Sequence, residues 1–327
     1  CHAEYRGFFH IGMVTRNERN AIIQHGTMTL VRKRALLEAG GWSEACITED
    51  AELGLRLFER GGQAAYLPTS YGRGLMPDTF IDYKKQRFRW AFGAIQILRM
   101  HVRTLLGLDA SRLSAGQRYH FLAGWLPWLA DGFNLVFNFA ALAWSAAMIW
   151  APERFDSPLL AFAVLPLFLF GFKLAKLLHL YLTRVGAGVR QAVGAVFAGL
   201  ALTHTIGVAV LAGLLQRERG FFRTPKRARR AGPVRAFIEA REETLMVVAL
   251  WAAAWAVSRA HDLETPDTLV WIAVLLLQSL PYLMSLLVAL VSSLPFSGRW
   301  LGRVDEMEQH TGRRLGPVRG RTIDPGR

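Results

Sequence analysis

Cysteine is almost absent from this chain, which carries only Cys1 and Cys46 among its 327 residues. Two cysteines cannot build a disulfide framework, and their spacing fits no cysteine-based metal site. Methionine is missing from the first position, and no signal-like apolar segment follows it. We therefore expect the chain to be the C-terminal part of a longer protein.

Acidic residues are also scarce, with 25 Asp and Glu against 39 Lys and Arg, for a formal net charge of +14. The basic residues are concentrated: residues 216–243 hold nine and residues 298–327 hold seven, whereas 151–157 and 259–267 hold one each. Basic segments beside apolar runs follow the positive-inside rule, which explains the charge without nucleic acid as a partner. Both basic segments should therefore be cytoplasmic.

Hydrophobic residues make up 52% of the chain, and long uncharged runs begin near residue 121. Because a membrane span needs about 20 apolar residues, the sequence predicts an integral membrane protein, embedded in the lipid bilayer. The candidate spans are Phe121–Trp150, Leu159–Leu182, Val193–Leu215, Leu245–Ser258 and Thr268–Leu294.

Cytoplasmic basic segments on both sides of the last two candidates require an even number of crossings before residue 216. Val193–Leu215 is the weakest candidate because four glycines and the polar triplet Thr203-His204-Thr205 interrupt it. We expect four crossings, with residues 190–216 forming a buried or interface-lying helix.

The first 80 residues alternate between short apolar runs and helical patterns, which is typical of an α/β domain. Strands are expected near Phe8–Ile11, Ala21–Ile23 and Ala64–Leu67, and helices over Arg32–Ala39 and Thr48–Arg60. Thr48 is expected to cap the second helix. Residues 81–120 are basic and aromatic, which indicates helices lying in the membrane interface. The alternative is a soluble helix packed on the α/β domain.

Asp50, within Thr48-Glu49-Asp50, is a candidate general base, since a carboxylate at a helix N-terminus could take a proton from a hydroxyl. The alternative is a simple partner of the helix dipole. Downstream, Gln86, Arg89, Trp90 and Gly93 share one helix face. That face offers an amide, a cation for phosphate, an indole for a sugar and a gap for close approach.

Together the two segments resemble the Thr-Glu-Asp and Gln-x-x-Arg-Trp motifs of processive family-2 glycosyltransferases, the membrane synthases of cellulose, hyaluronan and related β-glucans. Phe221 to Lys226 is similar to the Phe-x-Val-Thr-x-Lys gating loop of bacterial cellulose synthases, with Arg223 in place of Val. The stretches 20–29, 70–80 and 81–90 look closest to the synthases of periplasmic β-(1,3)/(1,6)-glucans.

The resemblance implies the C-terminal part of a GT-A-type catalytic domain (1–80), interfacial helices (81–120), a transmembrane channel region (121–295) with a gating loop (217–243), and a basic tail (296–327). It implies a UDP-sugar donor, a growing glucan chain as acceptor, and Mg²⁺ or Mn²⁺. The family's Asp-x-Asp metal motif is absent from this sequence, so the metal ligands are expected upstream. By itself this chain would be inactive.

The resemblance also assigns residues to roles. Asp50 would be the base. Trp90, Gln86 and His25 would contact the acceptor, although His25 could instead be structural. Arg87, Arg89, Thr224 and Lys226 would bind the nucleotide diphosphate.

In the first span, Asp131, Asn134 and Asn138 form a polar stripe at helical spacing. Such residues mark a conducting path or join helices to one another. The favoured function is transfer of glucose from UDP-glucose to a β-glucan with export of the chain. The alternatives are a non-catalytic channel or scaffold, and a synthase of cellulose or a hyaluronan-like polymer.

Overall fold

The structure is a computed structural model that describes residues 2–69, 72, 76–77, 79–158, 160–216 and 233–293. The α-helices in these ranges are α1 (His2–Gly7), α2 (Val14–Glu18), α3 (Lys33–Glu38), α4 (Glu49–Glu59), α5 (Phe80–Leu105), α6 (Ala115–Trp125), α7 (Pro127–Trp150), α8 (Leu160–His179), α9 (Val189–Ala201), α10 (Thr203–Leu215), α11 (Pro233–Glu239), α12 (Arg241–Ala260) and α13 (Pro266–Ser293). Two π-helical stretches, Phe8–Met13 and Leu180–Arg184, follow α1 and α8.

The described residues contain no β-strand, so the expected α/β layering is wrong for this part of the chain. The predicted strand at Phe8–Ile11 is π-helical instead. The extended segment near residue 64 forms no ladder because side chains take up its amides. Asn20 accepts from the amide of Ala64, and Asn17 accepts from that of Tyr66, each at 2.8 Å.

The helices expected over Arg32–Ala39 and Thr48–Arg60 are confirmed as α3 and α4, within one residue at each end, and the helical region expected over residues 81–120 contains α5 and the first part of α6. Thr48 occupies the N-cap position of α4, but its side chain makes no capping hydrogen bond, so the expected cap is wrong. Its hydroxyl oxygen lies 3.5 Å from the sulfur of Cys46 instead, turned toward α5.

Three helical stretches of the described chain are long and apolar enough to cross a membrane: Ala115–Trp150, Arg241–Ala260 and Pro266–Ser293. The pair α9 and α10 could form a further span, but it bends by 41° at a short break. This bend falls at Leu202, beside the polar triplet that interrupts the apolar run. The count of four crossings, and the sides of the membrane, stay predictions.

Helix α10 lies between α5 and α7, and glycines allow its close packing. A Cβ atom at Gly213 would come within 2.9 Å of Ile95 on α5, and one at Gly207 within 2.7 Å of the Asp131 carbonyl on α7. From α7, a Cβ at Gly132 would meet Val210 of α10 at 2.6 Å. Side chains at these positions would push the helices apart. The helix that carries Gln86–Trp90 is therefore joined to the apolar bundle.

Candidate functional site

Asp50 lies in the first turn of α4, beside the segment that carries His25. Its Oδ1 accepts a hydrogen bond from the amide of Ala51 at 2.8 Å. Its Oδ2 lies 3.1 Å from where a Cβ would stand on Gly26, so the backbone passes close to the carboxylate. Glycine is the residue that permits this approach. Asp50 is half-buried, and its role as the base stays a prediction.

The segment before α4 is fixed directly on α5, one turn beyond Trp90. A Cβ on Gly93 would lie 2.2 Å from the hydroxyl oxygen of Thr48, so the gap predicted at Gly93 is filled by the Thr-Glu-Asp segment itself. The Gln96 side chain accepts from the amide of Ile47 at 3.0 Å and donates to the Ala45 carbonyl at 3.2 Å. These contacts hold both sequence motifs in one unit.

Gln86 and Trp90 face α1, where Tyr5 contacts both. The Tyr5 hydroxyl donates to the Gln86 side-chain oxygen at 3.1 Å. The rings of Tyr5 and Trp90 meet edge to face, with centroids 6.0 Å apart. Arg89 is half-buried on the same helix. Gln86 and Trp90 therefore share one neighbourhood, as their spacing predicted.

A row of aromatic rings continues from Trp90 toward Asp50. Tyr5 stacks on Phe9 with centroids 6.0 Å apart, and Phe9 meets His25 edge to face at 5.0 Å. Sequence reasoning missed Tyr5 and Phe9. The signal was their i, i+4 spacing, which stacks two rings only if the segment is helical.

His25 completes the row next to the carboxylate. Burial lowers the pKa of His25, and the nearby charge of Asp50 only partly offsets this. The imidazole is therefore mostly neutral near pH 7. Its Nδ1 is buried without a hydrogen-bond partner in the described part of the chain.

His101 fixes the far end of α4 on α5. Its Nδ1 lies 2.8 Å from Glu59 and its Nε2 lies 3.2 Å from Glu52. Arg56 also pairs with Glu52, at 2.7 Å. Burial alone would lower the pKa of His101, but hydrogen bonds to the two carboxylates raise it to about 9. The imidazolium is thus a charged bridge between the helices.

This bridge predicts a loss of stability at alkaline pH. The pKa of His101 is about 9 in the folded protein and ~6.5 in the unfolded chain. Its contribution to the free energy of unfolding is therefore complete below pH ~6.5 and is lost as the pH rises through ~9. We expect up to about 3 kcal/mol to be lost from pH 6.5 to 9.5. Thermal unfolding of the purified protein and of His101→Gln would measure this. A variant with the same pH dependence as wild type would contradict it.

The predicted channel residues are separated from this site and lie on α7. Asp131 pairs with Lys173 of α8 at 3.1 Å. Asn138 is fully buried and donates to the Asn134 carbonyl at 2.7 Å, while its own side-chain oxygen is without a partner in the described residues. Of the three residues only Asn138 is fully buried, and the role of the stripe in conduction stays a prediction.

Thr224 and Lys226 lie outside the described residues. Within the ranges that are described, no three His, Cys, Asp or Glu side chains lie together as a metal site would require. Mg²⁺ or Mn²⁺, whose ligands are expected upstream of this chain, therefore stays a prediction, and no step below depends on a metal.

Comparison with known proteins identifies the family of this chain. Residues 4–185 match the model of glycosyl transferase family group 2. A cellulose synthase 1 catalytic subunit (UDP-forming) of Komagataeibacter xylinus is 38% identical over 98 residues, which is 30% of this chain and 13% of the relative.

Two further cellulose synthase catalytic subunits (UDP-forming) are similar. That of Pseudomonas fluorescens is 34% identical over 138 residues, 42% of this chain and 18% of the relative. That of Komagataeibacter sucrofermentans is 33% identical over 144 residues, 40% of this chain and 19% of the relative. The matches span less than a fifth of these relatives. Since the family match covers more than half of the chain, the protein belongs to glycosyl transferase family group 2.

Proposed function

We propose that this chain forms the acceptor-binding and membrane part of an inverting glycosyltransferase that transfers glucose from UDP-glucose to a growing β-glucan. The observation that carries the proposal is the ring row from Trp90 through Tyr5 and Phe9 to His25, which ends beside Asp50. Aromatic faces bind the apolar faces of sugars. The row would lead the sugar at the chain end to the carboxylate.

In the proposed mechanism, Asp50 takes the proton from the acceptor hydroxyl as that oxygen attacks the anomeric carbon of the donor. The bond from this carbon to UDP breaks, and UDP leaves with the bonding electrons, so the configuration inverts. Trp90, Gln86 and His25 hold the acceptor, while Arg89 stabilises the diphosphate charge. Thr224 and Lys226 would add further diphosphate contacts. Mg²⁺ or Mn²⁺ stays part of the proposal from resemblance alone.

The packing of the site helix against the apolar bundle supports a role in export. Helix α5 carries the acceptor residues and packs against α10, which packs against α7 with its stripe Asp131, Asn134 and Asn138. A chain leaving Trp90 would meet this bundle next. We propose that it crosses the inner membrane there, with the catalytic part and the C-terminus in the cytoplasm.

Cellulose is the second candidate product, because the similar relatives are named as cellulose synthase catalytic subunits. Membranes containing the intact protein should incorporate labelled glucose from UDP-glucose into polymer. Digestion by a β-(1,4)-glucanase would indicate cellulose, and digestion by β-(1,3)- and β-(1,6)-glucanases the other glucan. No incorporation from any nucleotide sugar would overturn the enzyme function.

A further inference from the structure

Arg87 is the most enclosed cation of the segment Lys84–Trp90. Its side chain is only 4% exposed, and its Nη2 donates to Glu4 at 2.8 Å. Its guanidinium carbon lies 4.1 Å from the Trp90 ring centroid and 5.0 Å from that of Tyr83. This environment differs from that of a cation waiting for an anionic ligand.

Glu4 is itself held in place, because it also accepts a hydrogen bond from the Tyr83 hydroxyl. The guanidinium therefore has its charge balanced by Glu4 and lies against the electron-rich face of the indole. A planar cation at this distance fixes the orientation of the ring that it covers. Lysine, a compact charge on a flexible stem, would keep the charge but lose the stacked plane.

We propose that Arg87 is a positioning residue, which holds the Trp90 indole at the angle needed to stack on the acceptor sugar, with Glu4 fixing Arg87 in turn. The inference replaces the diphosphate role expected for Arg87 from the sequence. It rests on the proposed function, in which Trp90 binds the acceptor. Arg89, two residues along, keeps the diphosphate role.

The two arginines provide a matched comparison on one helix. In membranes containing the intact protein, Arg87→Lys should lower kcat about tenfold, because lysine keeps the charge but loses the stacked plane that orients the acceptor-binding ring. The inhibition constant of UDP should change less than twofold. Arg89→Lys should instead raise the inhibition constant of UDP about tenfold. If Arg87→Lys raised the inhibition constant of UDP as much as Arg89→Lys does, the inference would be overturned.

Intrinsic fluorescence gives a readout that does not need activity. The emission of Trp90 is obtained by subtracting the spectrum of a protein carrying Trp90→Phe from that of the matching protein with Trp90. This emission should shift in Arg87→Lys and in Glu4→Gln. It should not shift in Arg89→Lys. Glu4→Gln serves where Arg87→Lys does not fold, since Glu4 is 38% exposed. An unchanged Trp90 emission in Glu4→Gln would count against the inference. If the wild-type protein showed no activity, the proposed function would be refuted, and the fluorescence test would still decide whether Arg87 positions Trp90.

Discussion

Replacing Asp50 with asparagine is expected to lower sugar incorporation by roughly 10²–10⁴-fold, the usual contribution of a general base. Asparagine has nearly the same shape, and its side-chain oxygen can accept the hydrogen bond that Asp50 now accepts from Ala51. The fold should therefore persist while proton acceptance is lost. Incorporation of labelled glucose by membranes with equal amounts of each protein would measure the effect.

Glu49 provides the control because it is the neighbouring acid in the same first turn of α4. Glu49→Gln removes an equal charge from the same helix end, so it reports the dipole contribution alone, about 0.3–1 kcal/mol of stability. Incorporation by this variant should stay within about threefold of wild type. If Asp50→Asn also retained activity within that range, Asp50 would be a dipole partner and not the base.

Breaking the buried ion pair between α5 and α12 should be the largest single loss of stability. The Lys84 ammonium contacts the Glu243 carboxylate, and the two side chains are 14% and 1% exposed. Lys84 also donates to the Glu239 carbonyl at 3.3 Å. Glu243→Leu leaves the ammonium buried without its partner, which costs about 3–5 kcal/mol. Thermal or denaturant unfolding in detergent would measure this.

The double variant Lys84→Met/Glu243→Leu should recover most of this loss, because a well-packed apolar pair is often as stable as a buried ion pair. Arg34 and Glu38 supply the exposed comparison, with side chains 85% and 57% exposed. Glu38→Ala should cost less than about 1 kcal/mol. Equal losses from the buried and the exposed pair would contradict the predicted role of Lys84 and Glu243.

The helices were predictable where the signal is local. For α3 and α4, the local pattern gave both limits within one residue. The strands failed because a strand depends on a partner, and the pattern of one segment does not show which groups will bond its backbone. Here the side chains of Asn17 and Asn20 take that place. The sequence predicted Val193–Leu215 to be a weak candidate span, but it did not predict the bend at Leu202.

The candidate site was predictable in part. The spacing of Gln86, Trp90 and Gly93 gave the shared face, but the gap at Gly93, expected on the ligand-binding face, is filled by the protein's own chain. That the neighbour would be Thr48 could not be read from spacing. The pairing of Arg87 with Glu4 joins residues far apart in the chain, so local pattern suggested a phosphate ligand for a cation that already has its partner.

The packing of α10 against α5 also constrains the order in which the protein can fold during its synthesis. The glycine contact at Gly213 covers Phe92 and Ile95, which are fully buried or nearly so. Yet α10 follows α5 in the chain with four helices between them, α6 to α9, so it is synthesised well after α5. Because domains fold as synthesis proceeds, this apolar side of α5 stays uncovered until α10 has been made. The segment that carries Gln86–Trp90 would thus reach its final packing only after α10 has been synthesised.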